Sequence, residues 1–365
     1  MHIAIDARII NSSTGRYVER LVYYLQDVDK ENKYTILVPS KDLGFFKPSN
    51  PNFTVKAADF DNYSLAEQIG FKKFLDDLAP DLVHFCMPQQ PILYKGKHIT
   101  TVHDLTLLNT YNSDKNWLMF HVKQLVGRYV FRKVGQTSSH IITPSQFTKN
   151  EYVRFAGISE DKVTVTYEAA DVSVQSLKSY DHPFKEFIMY VGQQADYKNI
   201  KKLGDAHQKL LASHPGLGLI LVGRKDAAAR NTEKYFTQKG YKNILFTGFI
   251  EDPERDWLYT KCSAYVFPSL MEGFGLPGLE AMGYGAPVVS SNTTCLPEIY
   301  GDAAHYFDPR DVDDIAYAIN KVISSKALQE ELVKKGNEQI KKYSWKKMAE
   351  QTHHIYMDAL QEKSS

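Results

Sequence analysis

Residues 267–283 read FPSLMEGFGLPGLEAMG, and this stretch indicates the fold class more clearly than any other. An apolar strand is predicted to end at Ser269, a loop with glycines follows, and Pro277 suits the first position of a helix. Gly285 and Pro287 then stop that helix. In open parallel sheets, ligands bind at the carboxyl ends of the strands, which is where this loop would lie. The stretch therefore predicts the ligand-binding edge of a parallel α/β sheet.

The same alternation of short apolar runs and helical patterns extends over nearly the whole chain. The predicted strands are His2–Ile9, Tyr34–Pro39, Asp81–Cys86, Ile99–His103, His140–Pro144, Phe187–Gly192, Leu217–Gly223, Asn243–Gly248, Ala264–Pro268, Pro287–Ser291 and His305–Asp308. The predicted helices are Gly15–Val28, Ser64–Leu78, Lys198–Ser213, Ala227–Lys239, Asp252–Lys261, Pro277–Tyr284 and Asp311–Ile323. Apolar strands that are each followed by a helix indicate a parallel sheet covered on both faces. Because the pattern occurs twice, we predict two doubly wound, Rossmann-like α/β domains.

The domain boundary is predicted in the polar stretch Ser173–Lys185, where the periodicity lapses. The first domain would comprise residues 1–175 and the second residues 186–344. A final helix is predicted from one apolar stripe at helical spacing, formed by Trp345, Met348, Thr352, Ile355, Tyr356 and Ala359. The chain then closes on the polar residues Glu362–Ser365, which we expect in solvent.

The composition excludes several other classes of protein. A chain of 365 residues is too long for one typical core, and its net charge of +1 gives no reason to expect nucleic acid as a partner. Cys86, Cys262 and Cys295 are far apart, which argues against disulfides and against a zinc site. The first residues resemble a strand rather than a signal peptide, and no apolar run approaches the roughly 20 residues that span a bilayer. We therefore expect a cytoplasmic protein.

Two glutamates lie on either side of the predicted helix start. Glu280 is about one turn into the helix, and helical side chains tilt toward the N-terminus, so it would reach a ligand held there. Backbone N–H groups near Gly275 and Leu276, with the positive end of the helix dipole, favour a diphosphate. Glu272 would approach from the loop, and carboxylates accept charge-assisted hydrogen bonds from sugar hydroxyls. The combination predicts a nucleotide-sugar site, although either glutamate alone is also typical of a simple dipole partner.

The run Gly273-x-Gly275-x-x-Gly278 also matches the dinucleotide-binding fingerprint. That fingerprint requires an acidic residue at the end of the next strand to bind the ribose. Here the next strand ends in the residues Val-Ser-Ser-Asn at positions 289–292, without an acid. The pattern therefore disfavours a dehydrogenase.

The spacing of Glu272 and Glu280 resembles the E-x7-E signature of retaining glycosyltransferases of family 4, which have the GT-B fold of two Rossmann-like domains facing a central cleft. Further similar segments are Asp6-Ala7-Arg8, Thr14-Gly15-Arg16-Tyr17, His103-Asp104-Leu105, Thr143-Pro144-Ser145, Ala264–Ser269, Ala281-Met282, Gly285-Ala286-Pro287-Val288-Val289 and Leu296-Pro297-Glu298. Within the family, the chain most resembles the branch of bacterial mannosyltransferases that build surface polysaccharides.

The resemblance implies roles for the donor loop. Glu272 would bond hydroxyls of the transferred sugar and take part in catalysis, with Gly273 and Phe274 beside it in the donor-binding loop. Glu280 would bond the ribose. The final helix, residues 345–361, would cross back onto the first domain.

In the first domain the resemblance implies a catalytic role for His103, which would face the transferred sugar with Asp104 beside it. The alternative for His103 is a hydrogen-bonded structural histidine. Gly15 lies after the first strand, where the lack of a side chain permits a ligand to approach the backbone closely. Arg16 would meet phosphate, or it is a solvated arginine at a helix start.

The phosphate site departs from the family pattern. The family places an Arg-Lys-Asn run after the first strand of the second domain, and here Tyr197 precedes Lys198 and Asn199. Gln193 supplies no cation either. We therefore predict that Lys198 and Arg224 together clamp the donor diphosphate.

The stretch Trp117–Lys133 mixes apolar residues with Lys123, Arg128, Arg132 and Lys133. A basic amphipathic helix can bind an anionic membrane, here the inner membrane face. The alternative is a helix packed on the first sheet with a solvated charged edge.

These patterns and the resemblance together predict a retaining, metal-independent glycosyltransferase without a cofactor. The donor would be a nucleotide sugar, with GDP-mannose favoured by the branch, and the acceptor a glycan or a lipid-linked glycan. The alternatives are a GT-B isomerase or phosphorylase, or an inactive nucleotide-sugar binding protein.

Overall fold

The computed structural model describes residues 1–12, 14–62, 64–109, 117–172 and 177–361, without the side chains of residues 107, 109 and 117–123. The chain divides into two compact units, Met1–Glu168 with Ser344–Ser365, and Ala169–Tyr343. It passes from one to the other after Glu168, earlier than the predicted domain end at residue 175. The start of the predicted seam, residues 173–176, and the tail Glu362–Ser365 lie outside the described residues.

The first unit is built on a parallel sheet. Its strands are β1 (His2–Asp6), β2 (Lys33–Val38), β3 (Phe53–Ala57), β4 (Leu82–Phe85), β5 (His98–Thr101), β6 (His140–Thr143) and β7 (Val163–Val165). Its first helices are α1 (Gly15–Val28), α2 (Lys72–Leu78), α3 (Thr106–Asn109), α4 (Trp117–Thr137) and α5 (Gln146–Ala156). Within the described residues of this unit, seven strands pair in the order β3-β2-β1-β4-β5-β6-β7, all parallel.

The second unit repeats the architecture. Its strands are β8 (Glu186–Val191), β9 (Leu217–Val222), β10 (Ile244–Gly248), β11 (Ala264–Phe267), β12 (Val288–Ser291) and β13 (Ala304–Phe307). Its helices are α6 (Ile200–Leu210), α7 (Ala227–Lys239), α8 (Asp252–Lys261), α9 (Leu276–Gly283), α10 (Leu296–Tyr300), α11 (Val312–Ile323) and α12 (Lys326–Gln339). Counting only described residues, six parallel strands are ordered β10-β9-β8-β11-β12-β13. The predicted pair of doubly wound domains is confirmed.

Two strands that the sequence did not predict, β3 and β7, lie at the edges of the first sheet. Buried and more exposed residues alternate along β3, and β7 has only three residues. Edge strands are half solvated, so neither of them produces the continuous apolar run on which the prediction depended. The amphipathic helices α5 and α12 were missed as well.

The predicted helix Ser64–Leu78 is wrong in its first half. A turn of π-helix, Ala66–Phe71, precedes α2, and π-helical turns are rare. Within this turn, the carboxylate of Glu67 accepts a hydrogen bond of 2.9 Å from Arg8.

Arg8 is the centre of a buried ionic cluster at the carboxyl end of β1. Its guanidinium donates two hydrogen bonds of 2.8 Å to Asp6, one of 2.7 Å to the carbonyl of Phe60 and one to Glu67. It also lies over the ring of Phe71, 4.1 Å from the centroid. The side chains of Arg8, Asp6 and Glu67 are 4%, 7% and 1% exposed. This cluster fixes the π-helical turn to the sheet.

The final helix, α13 (Trp345–Gln361), belongs to the first unit, where it packs against α1. All six residues of its predicted apolar stripe are buried. Among the described residues, no helix is long and apolar enough to cross a membrane.

Candidate active site

The carboxyl ends of β8, β9 and β11, which are neighbours in the second sheet, carry three of the predicted donor residues. Lys198 ends a short 3₁₀ turn after β8, Arg224 follows β9, and Glu272 lies in the loop after β11. Because parallel strands end at one edge of a sheet, the topology places these loops side by side.

Lys198 and Glu272 form a nearly buried ion pair. The ammonium nitrogen is 2.5 Å from Oε1 of Glu272, and the two side chains are 14% and 12% exposed. Burial alone would lower the pKa of Lys198, but the Glu272 carboxylate and the neighbouring tyrosines raise it well above its usual value. Lys198 also lies over the rings of Tyr197 and Phe267, at 5.0 and 5.5 Å. Tyr197, which stands where the family places an arginine, therefore contributes a cation–π contact to Lys198.

The glycines of the donor loop accommodate Tyr300. The Tyr300 hydroxyl donates a hydrogen bond of 2.6 Å to the carbonyl of Gly275, which has φ +96°. A Cβ atom at Gly278 would lie 2.3 Å from Tyr300. The match to the dinucleotide fingerprint thus has a packing cause in this chain.

The side chain of Phe274 is buried and meets the ring of Tyr343 edge-on, with centroids 5.7 Å apart. Its predicted contact with a donor would therefore come from the backbone. Helix α9 begins after Gly275, and no side chain among the described residues caps it. The backbone N–H groups of this helix start can bind an anion in principle, and the predicted role of Gly275 and Leu276 in binding a diphosphate stays a prediction.

Glu280 is buried in α9, and it interacts electrostatically with Arg255. Burial disfavours the Arg255 cation, but Glu280 is the leading cause among those that raise its pKa above the usual value. Arg255 lies in the first turn of α8 and donates two hydrogen bonds, of 2.9 and 2.7 Å, to Asp256. Arg255 was not predicted from the sequence, where its only local signal is its i,i+3 spacing from Asp252.

Arg224 is exposed, and its guanidinium lies 5.8 Å from the ring centroid of Phe249. The structure thus gives Arg224 an aromatic neighbour at the carboxyl end of β10. The proposed partnership of Arg224 with Lys198 remains a prediction.

In the first unit, His103 lies two residues beyond β5, which ends at Thr101 rather than at the histidine. Its Nε2 is 3.0 Å from the carbonyl oxygen of Cys86, and its Nδ1 is 3.5 Å from Oε1 of Glu168. The ring of Tyr17 meets it edge-on, with centroids 4.8 Å apart. Both ring nitrogens therefore face protein acceptors.

Two of the remaining predicted residues of the first unit, Asp104 and Gly15, have contacts that shape the local backbone. Asp104 accepts a hydrogen bond of 2.7 Å from the backbone N–H of Thr106 and so caps α3. A Cβ atom at Gly15 would lie 2.1 Å from the carbonyl oxygen of Ile10, so glycine is needed there for the turn into α1. Arg16 is half-buried in the first turn of that helix.

Comparison with known families and proteins identifies the chain. The family profile described as "Glycosyl transferases group 1" matches residues 175–339, and "Glycosyltransferase Family 4" matches residues 14–174. The chain is 31% identical over 274 residues to the O-antigen chain mannosyltransferase B of Escherichia coli, covering 71% of this chain and 69% of that protein. The chain belongs to glycosyltransferase family 4.

Two further proteins are similar to this family 4 chain, one in sequence and one in fold. The serotype-specific mannosyltransferase WbdA of Escherichia coli is 28% identical over 379 residues, which cover 94% of this chain and 44% of WbdA. The chain thus spans less than half the length of WbdA. The sucrose-phosphate synthase of Thermosynechococcus elongatus has a TM-score of 0.77 at 18% identity, covering 98% of both chains. The fold of this family 4 glycosyltransferase is GT-B.

Proposed function

We propose that this glycosyltransferase transfers a hexose, with mannose favoured, from a nucleotide sugar to a glycan or a lipid-linked glycan, with retention of anomeric configuration. The observation that carries the proposal is the nearly buried Lys198–Glu272 pair at the carboxyl edge of the second sheet. A sugar diphosphate has anionic oxygens beside hydroxyls, so it matches a cation and a carboxylate held side by side. The mannosyltransferase names of the relatives support the choice of mannose.

We propose a role for each candidate site residue of the second unit. Lys198 and the N–H groups of Gly275 and Leu276 bind the diphosphate, with Arg224 as a second cation. Glu272 accepts hydrogen bonds from the hydroxyls of the transferred sugar. Glu280 binds the ribose hydroxyls, and Arg255 keeps a cation beside that carboxylate. On the first unit, His103 takes part in transfer.

The proposed reaction breaks the bond between the anomeric carbon and the diphosphate oxygen. The acceptor oxygen forms its bond to that carbon on the same face, and the acceptor proton passes to the departing phosphate oxygen. Lys198 and the start of α9 stabilise the charge that develops on the diphosphate. Because these groups already supply positive charge, we propose that transfer needs no metal ion.

The experiment mixes the purified protein with GDP-, UDP- and ADP-sugars and mannose-terminated oligosaccharides, and it measures release of nucleoside diphosphate. We expect release from GDP-mannose that depends on the acceptor and changes less than about twofold with EDTA. Loss of activity in EDTA that Mg²⁺ or Mn²⁺ restores would contradict metal independence. Donor binding without release from any donor and acceptor would identify an inactive binding protein instead.

We also propose a peripheral contact between α4 and an anionic membrane. The described part of this helix exposes Leu125 at 69%, Val126 at 52% and Tyr129 at 60%. Arg132 is exposed beside them, and Arg128 is half-buried. Exposed apolar residues next to cations match an anionic bilayer surface. The side chains of Trp117 and Lys123, which contributed to the prediction from the sequence, lie outside the described residues.

Vesicle flotation tests this contact. The double variant Leu125→Ser/Tyr129→Ser should lower partitioning onto phosphatidylglycerol vesicles by about tenfold or more, because it removes exposed apolar surface from the helix. Arg132→Ser should lower it by about fivefold, in proportion to one charge near the surface. Tyr317→Ser, an equally exposed tyrosine of the second unit, is the control. Equal partitioning of the wild type and all three variants would refute the contact.

A further inference from the structure

Glu168 is a nearly buried carboxylate that the sequence analysis did not single out. It follows β7 and is the last residue of the first unit before the chain enters the second. Its side chain is 7% exposed. Within the described residues, its one hydrogen-bonding or ion-pair partner is His103, with Oε1 3.5 Å from Nδ1. A buried carboxylate is costly unless it is paired, so this contact needs an explanation.

The hydrogen-bond chemistry of His103 locates a proton in this pair. The carbonyl of Cys86 can only accept, so Nε2, at 3.0 Å, carries a hydrogen. If Nδ1 carried none, its lone pair would face the lone pairs of the carboxylate. The arrangement is favourable only when a proton lies between Nδ1 and Oε1. The position of Glu168 therefore favours a proton on Nδ1 in addition to the hydrogen on Nε2.

The other groups around His103 do not compete for this proton. Tyr17 presents its ring edge, and its hydroxyl is bonded to Thr101 at 2.9 Å. Thr101 also contacts the fully buried His84. Nε2 of His84 is 2.8 Å from the Thr101 hydroxyl, and its Nδ1 is 2.7 Å from the Tyr356 hydroxyl. Burial, with a smaller contribution from His103, lowers the pKa of His84 to about 3, so His84 is neutral near pH 7. Asp104, next in the chain, is engaged in capping α3.

We propose that Glu168 is a positioning residue for transfer, which holds the ring of His103 in place and keeps a proton on Nδ1. The inference rests on the proposed function, since His103 acts in transfer there. Glu168 fixes one ring nitrogen and the Cys86 carbonyl fixes the other. Removal of either contact would allow the imidazole ring to rotate or to lose the proton on Nδ1.

The kinetic test is a double-mutant cycle. Glu168→Ala and Glu168→Gln should each lower kcat for transfer by about ten- to a hundredfold, with the donor KM changed by less than about threefold. Glutamine keeps the shape of the glutamate side chain, but its amide N–H donates a hydrogen bond to an unprotonated Nδ1, whereas the carboxylate accepts one from a protonated Nδ1. In the His103→Ala background, neither substitution should lower kcat further, because Glu168 acts through that ring. The exposed Glu160→Gln, in the segment before β7, is the control.

A loss of kcat that persists unchanged in the His103→Ala background, or no loss in either single variant, would overturn the proposal. A second readout does not require activity. In ¹⁵N-histidine NMR spectra, the Nδ1 signal of His103 should move from the value of a protonated nitrogen to that of an unprotonated one in Glu168→Gln. An unchanged signal would also overturn the inference. If no donor is turned over, the proposed function fails, and the NMR result still decides whether Glu168 holds the proton.

Discussion

Replacement of Glu272 with glutamine should lower kcat/KM for sugar transfer by about 10²- to 10³-fold. The carboxylate is the acceptor for the hydroxyls of the transferred sugar in the proposed site, and loss of one such preorganised group has about this effect on the transition state. The substitution also removes the charge that balances the nearly buried Lys198 ammonium, 2.5 Å away. Steady-state kinetics with the preferred donor measure the effect.

Two further variants separate the two roles of Glu272. Glu338→Gln makes the same chemical change in an exposed glutamate that pairs with Lys341, and it should leave kcat/KM unchanged. The double variant Lys198→Met/Glu272→Gln removes both partners of the pair. It should recover thermal stability lost in Glu272→Gln without recovering activity, since breaking a buried pair is costlier than removing it whole. Less than a threefold loss in Glu272→Gln would exclude this residue from the transfer step.

Replacement of Arg8 with methionine should lower the free energy of unfolding of the first unit by about 3–5 kcal/mol. Methionine retains most of the side-chain volume, but Asp6 and Glu67 lose their common partner inside the protein. For a unit of this size, the loss corresponds to a fall of about 10 °C in its thermal unfolding midpoint. Calorimetry measures the midpoint, and hydrogen exchange of peptides from β1 and residues 66–71 shows where the unit has been loosened.

The control for Arg8 is Lys72→Met, which breaks the exposed pair of Lys72 with Asp76. That pair lies on a helix at i,i+4 spacing, so its removal should change stability by only about 0.5 kcal/mol. The triple variant Arg8→Met/Asp6→Asn/Glu67→Gln should regain much of the lost stability because it leaves no buried charge unpaired. An Arg8→Met protein as stable as the Lys72→Met protein would contradict the structural role given to the cluster.

The fold was largely predictable because most strands and helices show their pattern of apolar residues within a single short segment of the sequence. Central strands such as β9 are buried along their whole length and appear in the sequence as continuous apolar runs. Helices with a strong stripe, such as α1 and α7, were predicted with the bounds that the structure has. The edge strands β3 and β7 of the first sheet were not predictable in this way, because β3 alternates buried and more exposed residues and β7 has only three residues.

The site was predictable only in part, because its contacts join distant segments. The pairing of Lys198 with Glu272 spans 74 residues, and no local pattern connects them. Glu280 was identified from its spacing, but Arg255 beside it comes from a different helix. Glu168 carries no motif, and its significance depends on which ring nitrogen of His103 it faces.

The proposed function requires that the Lys198–Glu272 site of the second unit carry out transfer from a nucleotide sugar. The most direct test compares wild-type protein and Glu272→Gln for acceptor-dependent release of nucleoside diphosphate at a saturating concentration of GDP-mannose. We expect release by the wild type, with a glycosylated acceptor formed in equal amount, and a rate at least about a hundredfold lower in Glu272→Gln. Equal rates in the two proteins would contradict it.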